Sequence, residues 1–85
     1  MVMYKVNYKK RAAKYLSKLP KNIRDNIFAA LFELSLTGEH DNSIQLKGRE
    51  GYRIRVGEYR VIYSKNETEL TILVVKIGAR GGIYK

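Results

Sequence analysis

At 85 residues, 45% of them hydrophobic, the chain can bury one core and forms a single domain spanning residues 1–85. It has no Cys, which excludes disulfides and thiolate metal sites, and His40 is its only histidine, so no His cluster is available; no cofactor or metal is expected. The formal charge of +9, from 17 Lys and Arg against 8 Asp and Glu, points to nucleic acid, an acidic protein, or both as partners.

Residues 2–8 alternate Val2, Tyr4, Val6, Tyr8 against Met3, Lys5, Asn7, which predicts a strand with one buried face. The same N-terminal stretch lacks the apolar segment of a signal peptide, and no apolar run approaches the ~18 residues of a membrane span. A cytoplasmic location away from membranes is therefore expected. Residues 9–19 switch to helical spacing, with Ala12, Leu16 and Leu19 on one stripe and Lys9, Lys10, Lys14 and Lys18 around it. Pro20 closes this helix and suits the first turn of the next. The second helix reaches to about Leu36. Its stripe of Ile23, Ile27, Ala30, Leu31 and Leu34 is widened by Phe28, Phe32 and Leu36, which predicts contact with both a sheet and the first helix. Thr37-Gly38 stops it.

Residues 38–51 read as a polar connection, with at most a short extended piece at Ile44–Lys47. His40, between Glu39 and Asp41, reads as a solvated loop residue. Tyr52 to Tyr63 then forms a hairpin whose two-residue turn is Gly57-Glu58. In that register Val56 faces Tyr59, Ile54 faces Val61 and Tyr52 faces Tyr63 on an apolar side. The opposite side sets Arg55 across from Arg60 and Arg53 across from Ile62. Like charges directly opposite on a sheet repel. Such a face is either merely solvated or a polyanion site. After a turn at Lys65-Asn66-Glu67-Thr68, the run Leu70–Ile77 carries apolar residues on both faces, as a central strand does. Gly78-Ala79-Arg80-Gly81-Gly82 follows and presents Arg80 where the hairpin arginines can converge, and arginine's planar fork suits phosphate. The layout is β-α-α-β-β-β. It predicts an α+β two-layer sandwich: an antiparallel sheet with an N-terminal helical hairpin packed on one face.

Leu19-Pro20, Leu46-Lys47-Gly48, the run from Tyr52 to Tyr63, and Lys76-Ile77-Gly78-Ala79-Arg80 with Ile83-Tyr84 resemble the RelE/ParE toxin superfamily over nearly the whole chain. The hairpin run is the most specific part. The resemblance implies the toxin of a type II toxin–antitoxin pair, neutralised by a cognate acidic antitoxin. For the RelE branch it implies a ribosome-dependent endoribonuclease (mRNA interferase), with ribosome and mRNA as partners, that cleaves by attack of a ribose 2′-OH on the adjacent phosphate. The catalytic positions it implies are Arg53, Arg55, Arg60, Arg80 and Tyr84, with Tyr84 or Tyr59 stacking on a base or orienting the 2′-OH. The best-studied members have Lys where Arg53 and Arg55 stand, and the Arg80–Tyr84 spacing is shorter here. Arginine is always protonated, so the general base is unassigned. The alternative from a different class is a ParE-like toxin that binds DNA gyrase without hydrolysis. A third is a degenerate member that only binds its antitoxin.

Overall fold

The computed structural model describes residues 3–79. The change from alternating to helical spacing falls at Lys9, where strand β1 (Lys5–Tyr8) gives way to helix α1 (Lys10–Ser17). Pro20 holds an extended backbone between the helices, so α1 stops at Ser17 and α2 runs from Lys21 to Thr37. Gly38 closes α2 in the left-handed conformation at φ 83°, its N–H bonded to the Leu34 carbonyl. A side chain there would place its Cβ 2.7 Å from the Tyr4 ring, so both conformation and space require glycine. Strands β2 (Ser43–Gln45), β3 (Tyr52–Val56), β4 (Tyr59–Asn66) and β5 (Thr71–Ala79) complete a five-stranded sheet of order β1-β5-β4-β3-β2.

The hairpin has the predicted register: Tyr52 pairs with Tyr63, Arg53 with Ile62, Ile54 with Val61, Arg55 with Arg60 and Val56 with Tyr59. Gly57 sits at φ 58° while Glu58 is not at positive φ, the pattern of a type II′ turn. The sheet is antiparallel from β2 to β5, as expected. β1 departs from that pattern and joins the edge parallel to β5, Lys5 opposite Thr71 and Tyr8 opposite Val74. The intervening helical hairpin makes this possible, since a parallel return needs a crossover that leaves the sheet. The extended piece expected at Ile44–Lys47 forms as the shorter β2, starting one residue earlier at Ser43 and ending at Gln45.

Both helices cover one face. Ile54, Val61, Tyr63, Ile72, Val74 and Ile77 from the sheet meet Ala12 and Leu16 of α1 and Ile27, Ala30, Leu31 and Leu34 of α2. An uninterrupted strand would turn Val74 and Ile77, three residues apart, to opposite faces. A bulge on β5 prevents this: Ile62 pairs with Lys76 but Tyr63 with Val74, leaving Val75 over. The bulge explains why β5 looked apolar on both faces. At the β3 side of this face the Tyr52 and Tyr63 rings stack at 5.4 Å, and Lys65 Nζ lies 5.0 Å above the Tyr52 ring. The same ammonium donates to the Gly38 carbonyl at 2.9 Å, tying the end of α2 to β4.

The expectation for the α2 phenylalanines fails. Phe28 and Phe32 are 46% and 57% exposed and do not join the core. A helix lying on a sheet buries roughly a 100° stripe, and the Ile27, Ala30, Leu31, Leu34 stripe already fills it. Instead of closing against α1, Phe28 lines a cleft of about 400 Å³ between the helices, with Ala13, Leu16 and Ser17 on the other wall.

Candidate functional site

The face of the sheet away from the helices is built from the alternate residues of the same strands. Across it, register sets Arg55, Arg60 and Gly78 in one row and Arg53, Ile62 and Lys76 in the next. Directly opposed residues on paired strands hold their Cβ atoms about 5 Å apart, so the Arg55 and Arg60 stems leave the sheet side by side. Their neighbour Gly78 adds no side chain, which leaves the row open toward the strand that leads to Arg80. Arg55 is exposed, and Arg53 and Arg60 are half-buried. Among the described residues none of the three is in an ion pair.

Arg53 differs from its companions. Its Nε is buried without a hydrogen-bond partner among the described residues. A buried donor left unpaired costs about 1–3 kcal/mol, more when charged. Arg53 lines a cleft at the β2 edge together with Lys47 and Arg49. Ile62, in the same row, is only 6% exposed yet lies outside the core cluster. Its cross-strand neighbours are Arg53 and Lys76, whose long aliphatic stems suit such a site.

The structure thus brings Arg53, Arg55 and Arg60 onto one rigid face. Arg80 and Tyr84, the other two implied catalytic positions, lie outside the described residues. Tyr59 does not join the arginines: it packs against the core, on the hairpin's other face. Alternation decides this, because Tyr59 and Arg60 are adjacent in the strand. His40 also lies elsewhere, and it is not the solvated residue expected. Its side chain is 14% exposed, its Nδ1 accepts the Asn42 N–H at 3.0 Å, and its Nε2 is 3.7 Å from Glu33 Oε1. It borders a small pocket with Tyr63 and Lys65, at the helix-covered side of the sheet edge. There the Tyr63 hydroxyl hydrogen-bonds Ser43 Oγ. Burial pushes the Tyr63 hydroxyl's pKa up, with the Ser43 bond partly opposing it. Among the described residues no group of three His, Cys, Asp or Glu side chains is placed to hold a metal ion.

Three cations outside the implied catalytic set, Arg11 from α1, Arg49 from the β2–β3 loop and Lys76 from β5, line one further cleft. They share no motif and come from three separate elements. Apart from the place of Lys76 in the family-like run, the sequence signal was the excess of basic over acidic residues.

A family model described as the ParE toxin of the type II toxin–antitoxin system parDE matches residues 6–84. Among solved structures, the chain is similar to a chain of the archaeal RelE–RelB complex from Pyrococcus horikoshii, at 33% identity and a TM-score of 0.79, over 96% of this chain and 99% of that one. It is also similar to the RelBE2 toxin–antitoxin complex of Mycobacterium tuberculosis, at 26% identity and TM-score 0.78, over 93% and 100% of the two chains. For the RelB–RelE complex from Methanococcus jannaschii the values are 28% and 0.74, over 92% and 94%. No curated protein sequence gave a significant match. With a family match over nearly its whole length and a RelE structure matched at 33% identity and TM-score 0.79, the chain belongs to the RelE/ParE superfamily of type II toxin–antitoxin toxins.

Proposed function

We propose that this toxin is a ribosome-dependent endoribonuclease that cleaves mRNA on the open face of its sheet. The observation that carries the reading is the Arg55–Arg60 pair with Arg53 beside it: three cations on a rigid surface, without ion pairs among the described residues. A phosphodiester resolves their repulsion. In the reaction, a ribose 2′-OH attacks the adjacent phosphorus, the P–O5′ bond breaks, and a cyclic phosphate and a 5′-OH result. Negative charge grows on the phosphorane oxygens, where Arg53, Arg55 and Arg60 donate in pairs. Preorganised donors of this kind are often the largest catalytic contribution. Arginine does not accept the 2′-OH proton. The face is therefore strong in charge stabilisation and weak in proton transfer. Holding the RNA in line can supply several kcal/mol, and the ribosome is the surface that provides this orientation. Arg80 and Tyr84 complete the set in this reading, Arg80 as a further phosphate donor and Tyr84 against a base.

The toxin's partner in this reading is an acidic, largely helical antitoxin. The exposed Phe28 and Phe32 on α2, beside the basic α1, offer it apolar and cationic surface together. A second reading, a gyrase-binding toxin without hydrolysis, is favoured by the match to the ParE family model. Primer extension on mRNA in programmed ribosomes, on the same mRNA naked, and a gyrase supercoiling assay separate the two. Cleavage confined to ribosomes supports the nuclease. Equal cutting of naked RNA overturns the ribosome-dependent mechanism, and inhibited supercoiling without cleavage supports the second reading.

A further inference from the structure

The cleft lined by Arg11, Arg49 and Lys76 measures about 380 Å³ and also receives Ser64 and Glu50. It lies beside the arginine rows, since Lys76 shares a row with Arg53 and Ile62, and Ser64 is two residues further along β4. Arg49 borders both this cleft and the one that Arg53 lines, which joins the two into one cationic surface from Arg53, in the row next to Arg55 and Arg60, to α1. Successive same-face positions on a strand are about 6.7 Å apart, of the order of the phosphate repeat in an extended single strand. Among the described residues Glu50 is the one carboxylate of the cleft, and neither it nor the three cations is ion-paired.

We propose that this cleft is a second phosphate subsite, which takes a flanking phosphodiester of the single-stranded RNA whose scissile phosphate lies at Arg55 and Arg60. The inference rests on the nuclease reading above. An acidic protein segment is the weaker occupant. A docking helix brings apolar side chains with its carboxylates, whereas this cleft offers them little: of its apolar and aromatic residues Ile62 and Tyr63 are buried and Val75 is half-buried. The exposed phenylalanines lie on α2 instead. Arg11, Arg49 and Lys76 hold the backbone and touch no reacting atom. They are positioning residues, setting which nucleotide reaches the arginine row.

Binding of a fluorescent hexaribonucleotide to the purified toxin, against salt, tests the subsite without requiring cleavage. Each phosphate contact on a single strand contributes about 0.7 to the slope of log K against log salt. Arg49→Gln and Lys76→Gln should each lower that slope by about this amount, and affinity at 0.1 M salt about fivefold. Arg49→Lys should restore both, and a dinucleotide should not distinguish Arg49→Gln from the parent. Arg49 is exposed, so its variant folds even if Lys76→Gln does not. Unchanged hexanucleotide affinity in Arg49→Gln overturns the subsite, as does a parent that binds no hexanucleotide. A loss confined to a glutamate-rich peptide assigns the cleft to an acidic protein and overturns it equally. Ribosomal cleavage is scored separately. A parent that cleaves while Arg49→Gln binds normally sinks only the subsite, whereas slope losses in a parent that never cleaves sink only the nuclease reading.

Discussion

The two faces of the β3–β4 hairpin are made by the same twelve-residue run, yet they obey different rules. On the helix-covered face Ile54 and Val61 are fully buried in the apolar core, and the one polar cross-strand partner, Ser43 opposite Ile54, is hydrogen-bonded to the Tyr63 hydroxyl. On the other face, one residue away along each strand, Arg55 opposes Arg60. The first face is what selection for stability produces. The second gives up a little stability, because like charges directly opposite each other destabilise a sheet. Where a rigid scaffold tolerates such a local conflict, a ligand is the natural reason for it.

The comparison breaks first where burial is complete. Ile54→Ala removes a side chain with no exposed surface from the middle of the core, and large-to-small changes at such sites cost about 2–5 kcal/mol. Denaturant melts should place this variant near the limit of folding, whereas Arg55→Ala on the opposite face should melt like the parent. Equal losses from both would mean that the two faces are not energetically distinct.

A second, smaller loss is expected at the end of α2. Gly38→Ala asks a residue with a Cβ to hold φ 83°, which costs about 1–2 kcal/mol. It also presses that Cβ against the buried Tyr4 ring. A total of about 2 kcal/mol or more is expected by denaturant melt, with ribonucleotide binding at the open face unaltered in the folded fraction.

Tyr63 sharpens the contrast through pH. Its ring is buried, and burial raises its hydroxyl pKa above the ordinary value of 10.0. The folded state therefore holds the proton more tightly than the unfolded chain. The resulting stability is complete below pH 10 and is lost as pH rises through the folded value. Tyr63→Phe should cost about 1 kcal/mol at neutral pH through the missing bond to Ser43. The variant should also show a shallower stability loss in melts above pH 10. Burial raises Tyr8 as well, so part of that alkaline loss should persist.

Much of this contrast was legible in the chain. The hairpin register followed from Gly57-Glu58, because a two-residue turn leaves one way of pairing Val56 with Tyr59, and alternation then assigns every side chain. What stayed hidden depends on distance in space. Strand β2 showed only as a short extended piece with shifted bounds, because three residues of exposed or half-buried edge carry no apolar alternation to fix it. The bulge at Val75 has no local signature, since the run before Lys76 reads as apolar on both faces. Phe28 and Phe32 lie at helical spacing beside a true core stripe, and only the seating of α2 on the sheet shows which part of a broad stripe is covered. Arg11, Arg49 and Lys76 meet only because α1, the β2–β3 loop and β5 converge there.

The smallest expected change in stability is the most informative. Arg60 and Arg55 face each other across the hairpin, and Arg60 is half-buried, so its charge is less screened by solvent than Arg55's. Repulsion between such neighbours amounts to roughly 1 kcal/mol or less, and salt reduces it further. Arg60→Gln removes the repulsion while keeping a polar side chain with a similar stem. The free toxin should therefore be as stable as the parent, or more stable by a few tenths of a kcal/mol, and the gain should shrink in high salt. Cleavage of ribosome-bound mRNA should nevertheless fall about 100- to 1000-fold, the usual consequence of losing one donor to a developing oxyanion. Stability and activity would then move in opposite directions, which is the signature of a residue kept for its ligand. Were Arg60→Gln to lose more than about 1 kcal/mol, the arginine would belong to the fold, and the open face would follow the same rule as the core.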